Sequence, residues 1–149
     1  MVRKMLMTLL AAVCLASTGA CLANEACFAE AAATHDVPAQ VLQAIAQVES
    51  KNDPAAVGHN RNGSVDLGLM QINSSWLPRL KAKFGLTRAK LMDACTNIHV
   101  GAWILSSNLT RYKELWRAVG AYHSPAPRRR DAYARKVFAV LAETEGVAE

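Results

Sequence analysis

The residue whose type and position best suit catalysis is a glutamate at the end of an amphipathic helical pattern. At about 100° per residue, Leu42, Ile45 and Glu49 fall on one stripe of a helix, with Val41 and Val48 beside them. A carboxyl group in an apolar stripe has a raised pKa and holds a proton near neutral pH. Cleavage of a glycosidic bond needs such a proton donor, whereas a glutamate that faces water at a helix end would have no such role.

Two further motifs favour the catalytic interpretation. The pair Glu49-Ser50 is followed by GLMQIN at 68–73 and by AVGAY at 118–122. Together these motifs resemble the soluble lytic transglycosylase family, lysozyme-like enzymes that cut peptidoglycan. They are most similar to its small members, which accompany type III and type IV secretion systems and type IV pili. The resemblance extends from about Cys27 to about Ala142.

The resemblance implies a role for each matched residue. Glu49 is expected to be the catalytic acid/base, and the segment 70–73 is expected to line the sugar cleft. The residues expected to bind substrate are Ser50, Met70, Gln71, Asn73 and Tyr122. In many members Asn-Ala-Gly follows the tyrosine, whereas here the chain reads His123-Ser124-Pro125, so this loop departs from the family pattern.

The resemblance also implies a reaction. The enzyme would cleave the β-1,4 bond between N-acetylmuramic acid (MurNAc) and N-acetylglucosamine (GlcNAc), with attack by the sugar's own C6 hydroxyl, and leave a 1,6-anhydro-MurNAc end. Such a lyase uses no water, no metal and no organic cofactor. Two alternatives remain open, a lysozyme-type hydrolase and a non-catalytic glycan-binding assembly factor. A binding module need not keep an acid in an apolar stripe, which favours an enzyme.

Asp66, just before the GLMQIN run, is a second candidate catalytic residue. Animal lysozymes place a carboxylate in the corresponding region, where it stabilises the cation or acts as nucleophile. The alternative is an acceptor in an Asx turn, which Asp favours beside Gly and Ser. Gln71 and Asn73 likewise either bind substrate amides or cap a helix that begins near Ser75. Trp76 is the tryptophan nearest to these motifs and the best candidate for stacking on a sugar ring.

The N-terminus has the pattern of a signal peptide. Residues 1–23 combine a basic start, an apolar stretch and small residues up to Ala23, and the stretch is short for a membrane-spanning helix. We expect cleavage before Asn24, a mature domain over 24–149 and a periplasmic location. A lipoprotein signal ending at Cys21 ranks second, because the usual leucine three positions before the cysteine is missing.

Cysteine usage agrees with export. Cys14 and Cys21 lie in the leader, which leaves Cys27 and Cys95 in the mature chain. Two cysteines in an oxidising compartment most simply form one disulfide. Reactive thiols are the alternative, but no Cys-x-x-Cys or Cys/His arrangement supports them.

Charge and composition limit the partners. Removal of Arg3 and Lys4 with the leader, which has no acidic residue, reduces the formal charge from +5 to +3. This mildly basic chain suits an anionic cell wall, whereas nucleic acid would require more basic surface. The only dense basic run, at 128–130, is expected to be a solvated junction between a loop and a helix.

The four histidines lie far apart, so no metal site is predicted. The expected partners are glycan strands and a secretion or pilus component, and we expect a monomer.

The pattern along the chain is helical almost throughout, apart from a turn or short hairpin within 57–67. The first helix is expected over about 25–34, and Asp36 is expected to cap the catalytic helix. Gly85 should end one helix and Thr87 should begin the next. The last helix is expected over about 131–143. The sequence therefore predicts a mainly helical α+β domain with a small β-hairpin excursion, and the resemblance implies the lysozyme-like fold.

Overall fold

The protein is described from a computed structural model, which covers residues 24–144 and residue 146. The predicted signal peptide and the lipoprotein alternative fall on residues 1–23, outside this part of the chain. The helices are α1 over 24–35, α2 Ala39–Ser50, α3 Leu77–Phe84, α4 Arg88–Leu91, α5 Ala94–Tyr112, α6 Leu115–His123 and α7 Pro127–Thr144. Among the described residues, no helix has both the length and the apolar character needed to cross a membrane.

The β region lies between α2 and α3. Its strands are β1 Val57–His59, β2 Val65–Leu67 and β3 Ile72–Asn73, which form one antiparallel sheet in that order. Asp66 on β2 pairs with Gly58 on β1 and with Asn73 on β3. The predicted small β excursion is confirmed, with a third strand that lies inside the GLMQIN run. Two residues are too few to show a strand period, so the sequence did not reveal it.

The core forms where α2, α5, α6 and α7 pack together, and it includes Leu67 and Ile72 from the sheet. The apolar stripe of α2 is buried as predicted, since Leu42 and Ile45 have no exposed surface. The largest fully buried side chains are Leu42, Ile45, Leu67, Leu69, Met70, Ile72, Leu80, Leu91, Ile98, Leu105, Val119 and Val137. Burial of one such side chain contributes about 1.5–3 kcal/mol, so this apolar set fixes the helices that carry the polar residues.

The helix ends follow local sequence signals in most places. Gly85 ends α3 at φ +66°, and the Thr87 hydroxyl accepts a hydrogen bond from the Lys90 N–H at 3.3 Å, as predicted. Asp36 does not cap α2, which begins after Pro38; Asp36 instead adopts φ 53° just after α1. The prediction for α7 was also wrong at its start. Proline suits the first turn of a helix, so α7 begins at Pro127 and contains the basic run 128–130.

A disulfide joins α1 to α5. Cys27 and Cys95 are bonded, with their Cα atoms 5.4 Å apart and 68 residues apart in sequence. The predicted pairing is therefore present. It fixes the start of α5 against α1, at the opposite end of α5 from its junction with α6.

Candidate active site

Glu49 lies near the C-terminal end of α2 and is half-buried. The Tyr133 hydroxyl, on α7, donates a hydrogen bond to its Oε1 atom. Burial raises the pKa of Glu49, and the nearby charge of Asp66 raises this pKa further, while the Tyr133 bond acts in the opposite direction. The net effect is a raised pKa, as the sequence predicted. Burial and the charge of Glu49 raise the pKa of Tyr133 strongly, so Tyr133 stays a proton donor.

The loop that contains GLMQIN is hydrogen-bonded directly to α2. The Ser50 hydroxyl donates to the carbonyl of Leu69 at 2.7 Å, and the Tyr122 hydroxyl donates to the carbonyl of Met70 at 3.0 Å. Met70 is fully buried. Ser50 and Met70 therefore differ from the prediction: neither lines the cleft beside Glu49. The geometry suits them to supporting the loop, because the Ser50 hydroxyl and the Met70 side chain are occupied by the protein itself.

Asn97 on α5 holds the same loop in place through its side-chain amide. Its Oδ1 accepts from the Met70 N–H at 2.7 Å, and its Nδ2 donates to the carbonyls of Leu67 at 2.9 Å and Leu91 at 2.8 Å. Gly68 has φ +73°, and a Cβ atom there would lie 2.5 Å from Asn97 Nδ2. Only glycine meets both requirements, which explains the first residue of the GLMQIN motif.

Asp66 faces the cleft from the middle of the sheet. Its Oδ1 accepts from Asn73 Nδ2 at 2.7 Å, and its Oδ2 accepts from Asn60 Nδ2 at 2.9 Å. The expected alternative, an Asx turn, is made instead by Asn62, whose side chain accepts from the Ser64 N–H at 3.0 Å. Asp66 is thus a carboxylate held in place by two amides, and each of its oxygens keeps lone pairs for other contacts.

Asn73 and Gln71 both line the cleft, and they differ in their second role. Asn73 Oδ1 accepts from the Ser75 N–H at 3.0 Å, so Asn73 also caps the 3₁₀ turn Ser74–Trp76, as the alternative interpretation predicted. Gln71 has no capping role. Its Nε2 donates to the carbonyls of Gly68 at 2.8 Å and Ala56 at 3.2 Å, which leaves its Oε1 as its free polar atom.

The cleft has a volume of about 580 Å³ and brings both candidate carboxylates into one cavity. Amide and hydroxyl side chains dominate its walls, and Tyr122, His123 and Trp76 close its sides. Trp76 packs edge-to-face against Trp103 at 5.7 Å between ring centroids. The lining residues are Glu49, Asn60, Asn62, Ser64, Asp66, Gln71, Asn73, Ser75, Trp76, Ile104, Tyr122, His123 and Arg129. The amide and hydroxyl groups of these walls suit an acetamido-bearing sugar chain.

A side cavity of about 310 Å³ opens on the other side of Glu49. It shares Glu49, His123 and Arg129 with the cleft and is completed by α7. The His123 ring stacks on the Tyr133 ring at 4.9 Å between centroids, with the planes 7° apart. A larger cavity, of about 630 Å³, lies on the far side of α2 and contains neither carboxylate.

One group of potential metal ligands occurs among residues 24–144, away from the cleft. Glu30, Cys95 and His99 place their ligand atoms within 4.8 Å of one another. Cys95 is already bonded to Cys27, so its sulfur is not available as a thiolate ligand. The group therefore does not have the donor set of a metal site.

Sequence reasoning missed Tyr133 and Asn97. Tyr133 lies on the inward face of the last helix, but no local pattern connects its hydroxyl with Glu49. The two residues are 84 positions apart, and no sequence period links them. A tyrosine on an inward face is a signal in itself, because a buried hydroxyl requires a partner. The same argument applies to Asn97, which is fully buried.

Comparisons with known proteins agree with this geometry. Residues 26–139 match the family model described as the transglycosylase SLT domain. The invasion protein IagB of Salmonella typhimurium is 43% identical over 126 residues, which cover 81% of this chain and 78% of IagB. Protein IpgF of Shigella flexneri is 36% identical over 99 residues, 66% of this chain and 64% of IpgF.

The fold is also found in a solved structure. An inactive mutant of the lytic transglycosylase Slt from Pseudomonas aeruginosa superposes with a TM-score of 0.64 at 18% identity. The match covers 83% of this chain and 24% of the Slt chain, so the similarity is to one part of a larger protein. With the family match over most of its length, the chain belongs to the transglycosylase SLT family and is a lytic transglycosylase of peptidoglycan.

Proposed function

We propose that Glu49 is the catalytic acid and base of this lytic transglycosylase and that it cleaves the β-1,4 bond between MurNAc and GlcNAc. The observation that carries this proposal is a half-buried carboxyl with a raised pKa, facing the cleft and bound by Tyr133. Because Tyr133 occupies Oε1, the proton of the acid form is carried on Oε2. Oε2 is then the atom that protonates the glycosidic oxygen as the bond breaks.

The second half of the proposed reaction reverses the proton transfer. The carboxylate of Glu49 accepts the proton of the muramyl C6 hydroxyl while that oxygen attacks the anomeric carbon. One C–O bond breaks and one forms, the proton given to the leaving GlcNAc is replaced, and the product carries a 1,6-anhydro ring. No water is consumed, and no cofactor is needed.

Asp66 is proposed to stabilise the positive charge that develops at the anomeric carbon. Its support is its position in the same cleft, its two amide partners and the absence of the turn-capping bond that would explain it otherwise. This second carboxylate also favours one alternative function, a lysozyme-type hydrolase, in which water replaces the C6 hydroxyl. A non-catalytic glycan-binding factor is the less favoured alternative, because it would not require a buried acid.

The cellular role is proposed from the relatives and the leader. A relative with 43% identity is named an invasion protein, and residues 1–23 have the signal-peptide pattern. We infer that the protein is exported to the periplasm, where it opens the wall locally for a secretion or pilus apparatus. The mature charge of +3 is consistent with an anionic wall as substrate.

The test of the catalytic assignment is Glu49→Gln. The amide preserves shape and can still accept from Tyr133, but it cannot donate the proton. We expect lysis of purified peptidoglycan to fall by about a hundredfold to ten-thousandfold or more, with unchanged helical circular dichroism. Mass spectrometry of the wild-type products separates the alternatives: anhydro ends indicate the lyase, reducing ends the hydrolase, and no products the binding factor. Near-normal activity of a folded Glu49→Gln protein would remove Glu49 from this role.

A further inference from the structure

We propose that the side cavity beside Glu49 binds the anionic peptide stem of the muramyl residue that is being cleaved. This inference rests on the proposed function, because it places the stem relative to the bond that Glu49 attacks. It adds to the sugar cleft a second binding site, specific for carboxylates, with Arg129 and Lys136 as its cationic groups.

The geometry of α7 brings these groups to one wall. Arg129, Ala132, Tyr133 and Lys136 recur at the spacing of a single helical face, and all four line the side cavity. Tyr133 is buried and directs its hydroxyl to Glu49, whereas Arg129 and Lys136 are exposed at the rim. The cavity therefore begins at the catalytic carboxyl and opens towards two cations.

The two cations are available to a ligand. Arg117 and Arg130 form ion pairs with Glu114 and Asp131, each at 3.0 Å. Within residues 24–144, no such ion pair involves Arg129 or Lys136. The only acidic residue that lines the side cavity is Glu49, and burial raises its pKa.

The contrast between the two cavities indicates what each one binds. The cleft walls consist mainly of amides and hydroxyls, which suit neutral sugars and their acetamido groups. In peptidoglycan the lactyl carboxyl of MurNAc is used up in the amide bond to the peptide, so the glycan itself is uncharged. The carboxylates of the polymer lie on the peptide stems. A wall with two cations, and with Glu49 as its only acidic residue, therefore matches a stem and not another sugar.

The connectivity of the substrate agrees with the positions of the cavities. The stem is attached to the muramyl ring, and the same ring carries the anomeric carbon at the scissile bond. Glu49 must approach that carbon from the cleft. A stem leaving this ring has to pass close to Glu49, which is where the side cavity joins the cleft.

The test measures binding and does not depend on turnover. In the inactive Glu49→Gln background, calorimetry compares a peptide-bearing MurNAc–GlcNAc tetrasaccharide with the same tetrasaccharide after an amidase has removed its peptides. The ratio of the two affinities is measured with Arg129→Gln/Lys136→Gln added, and with Lys136→Gln alone, since Lys136 lines only the side cavity. The matched control is Arg128→Gln/Arg135→Gln, which removes the same charge from α7 at exposed positions outside both cavities.

We expect the peptide-bearing ligand to bind more tightly and the double variant to reduce the affinity ratio by about tenfold, because each exposed charge pair contributes a few-fold. Lys136→Gln alone should reduce it about threefold, and the control should leave it unchanged. Added salt should weaken only the binding of the peptide-bearing ligand. An unchanged ratio in the double variant, or an equal reduction in the control, would overturn the proposal. Loss of lysis in Glu49→Gln tests the catalytic assignment separately.

Discussion

Glu49 and Asp66 show how two carboxyl groups in one cleft acquire different properties from their neighbours. Glu49 is surrounded by buried side chains and has a single protein donor, so burial dominates and its pKa is raised. Asp66 is on an antiparallel strand, and each of its carboxyl oxygens accepts a hydrogen bond from an amide side chain. Two carboxyl groups with such different surroundings in one cleft suit acid-assisted cleavage through a cationic transition state.

The first prediction at the residue scale concerns Asp66→Asn. We expect a folded protein that still binds glycan but turns over at least tenfold more slowly, because an amide lacks the charge that stabilises an oxocarbenium ion. A tenfold decrease corresponds to about 1.4 kcal/mol of barrier. The measurement is the rate of release of soluble fragments from peptidoglycan at matched stability. Turnover within about threefold of wild type would assign Asp66 a structural role.

Tyr133→Phe tests the environment of Glu49 through pH. The Tyr133 hydroxyl stabilises the ionised form of Glu49 and so lowers its pKa, whereas burial raises it. Without the hydroxyl only the raising effects remain, and Glu49 keeps its proton to a higher pH. The alkaline limb of kcat/KM against pH should therefore move to higher pH. Tyr112→Phe, outside the cleft, is the control, and an unmoved limb in Tyr133→Phe would contradict the prediction.

At the scale of elements, the loop 67–70 positions the cleft residues on either side of it, Asp66 and Gln71. Helix α5 in turn positions the loop, through Asn97. A single side chain, Asn97, satisfies three backbone groups from this loop and from α4. All of its polar atoms are paired, and it has no exposed surface. The position of the loop thus depends on one buried amide as well as on apolar packing.

Asn97→Ala should therefore be more destabilising than an ordinary loss of a hydrogen bond. It leaves one buried N–H and two carbonyls without their partner, and each unsatisfied group costs about 1–3 kcal/mol. We expect the free energy of unfolding to fall by at least about 3 kcal/mol in urea titrations. The control is Asn108→Ala on the same helix, which removes one bond, to the carbonyl of Ala118 at 3.2 Å. An equal decrease in the free energy of unfolding in the two variants would show that Asn97 contributes no more than a residue with one hydrogen bond.

The elements also show what the sequence can and cannot predict. The apolar stripe of α2, the end of α3 at Gly85 and the cap at Thr87 follow from contacts within a few residues, and the sequence predicted each of them. The early start of α7 had its own signal, Pro127, but the adjacent arginines suggested a solvated junction. Glu49 and Asp66 were identified because each belongs to a local motif. The Tyr133 bond, the Asn97 anchor and the side cavity depend on residues distant in sequence, and only the fold brings them together.

At the scale of the whole molecule, the disulfide encloses both candidate carboxylates in a loop between Cys27 and Cys95. The two cysteines are 68 residues apart in sequence. On the chain-entropy model, closing a loop of this length contributes about 4 kcal/mol to the free energy of unfolding. Thiol titration of the unfolded, unreduced mature protein should find no free thiol. Cys27→Ala/Cys95→Ala should fold with a free energy of unfolding lower by up to that amount. Two titratable thiols in the unreduced protein would contradict the pairing.

The hydrogen bond between Glu49 and Tyr133 has a consequence for how much of the chain the site requires. The two residues are 84 positions apart, and Tyr133 lies in α7, the final helix of the described chain. A ribosome produces the acid, the cleft loop and Asp66 well before it produces the tyrosine that orients the acid. A chain that ends before α7 would therefore contain Glu49 and the GLMQIN motif but would lack Tyr133 and the helix that packs against α2 and α6.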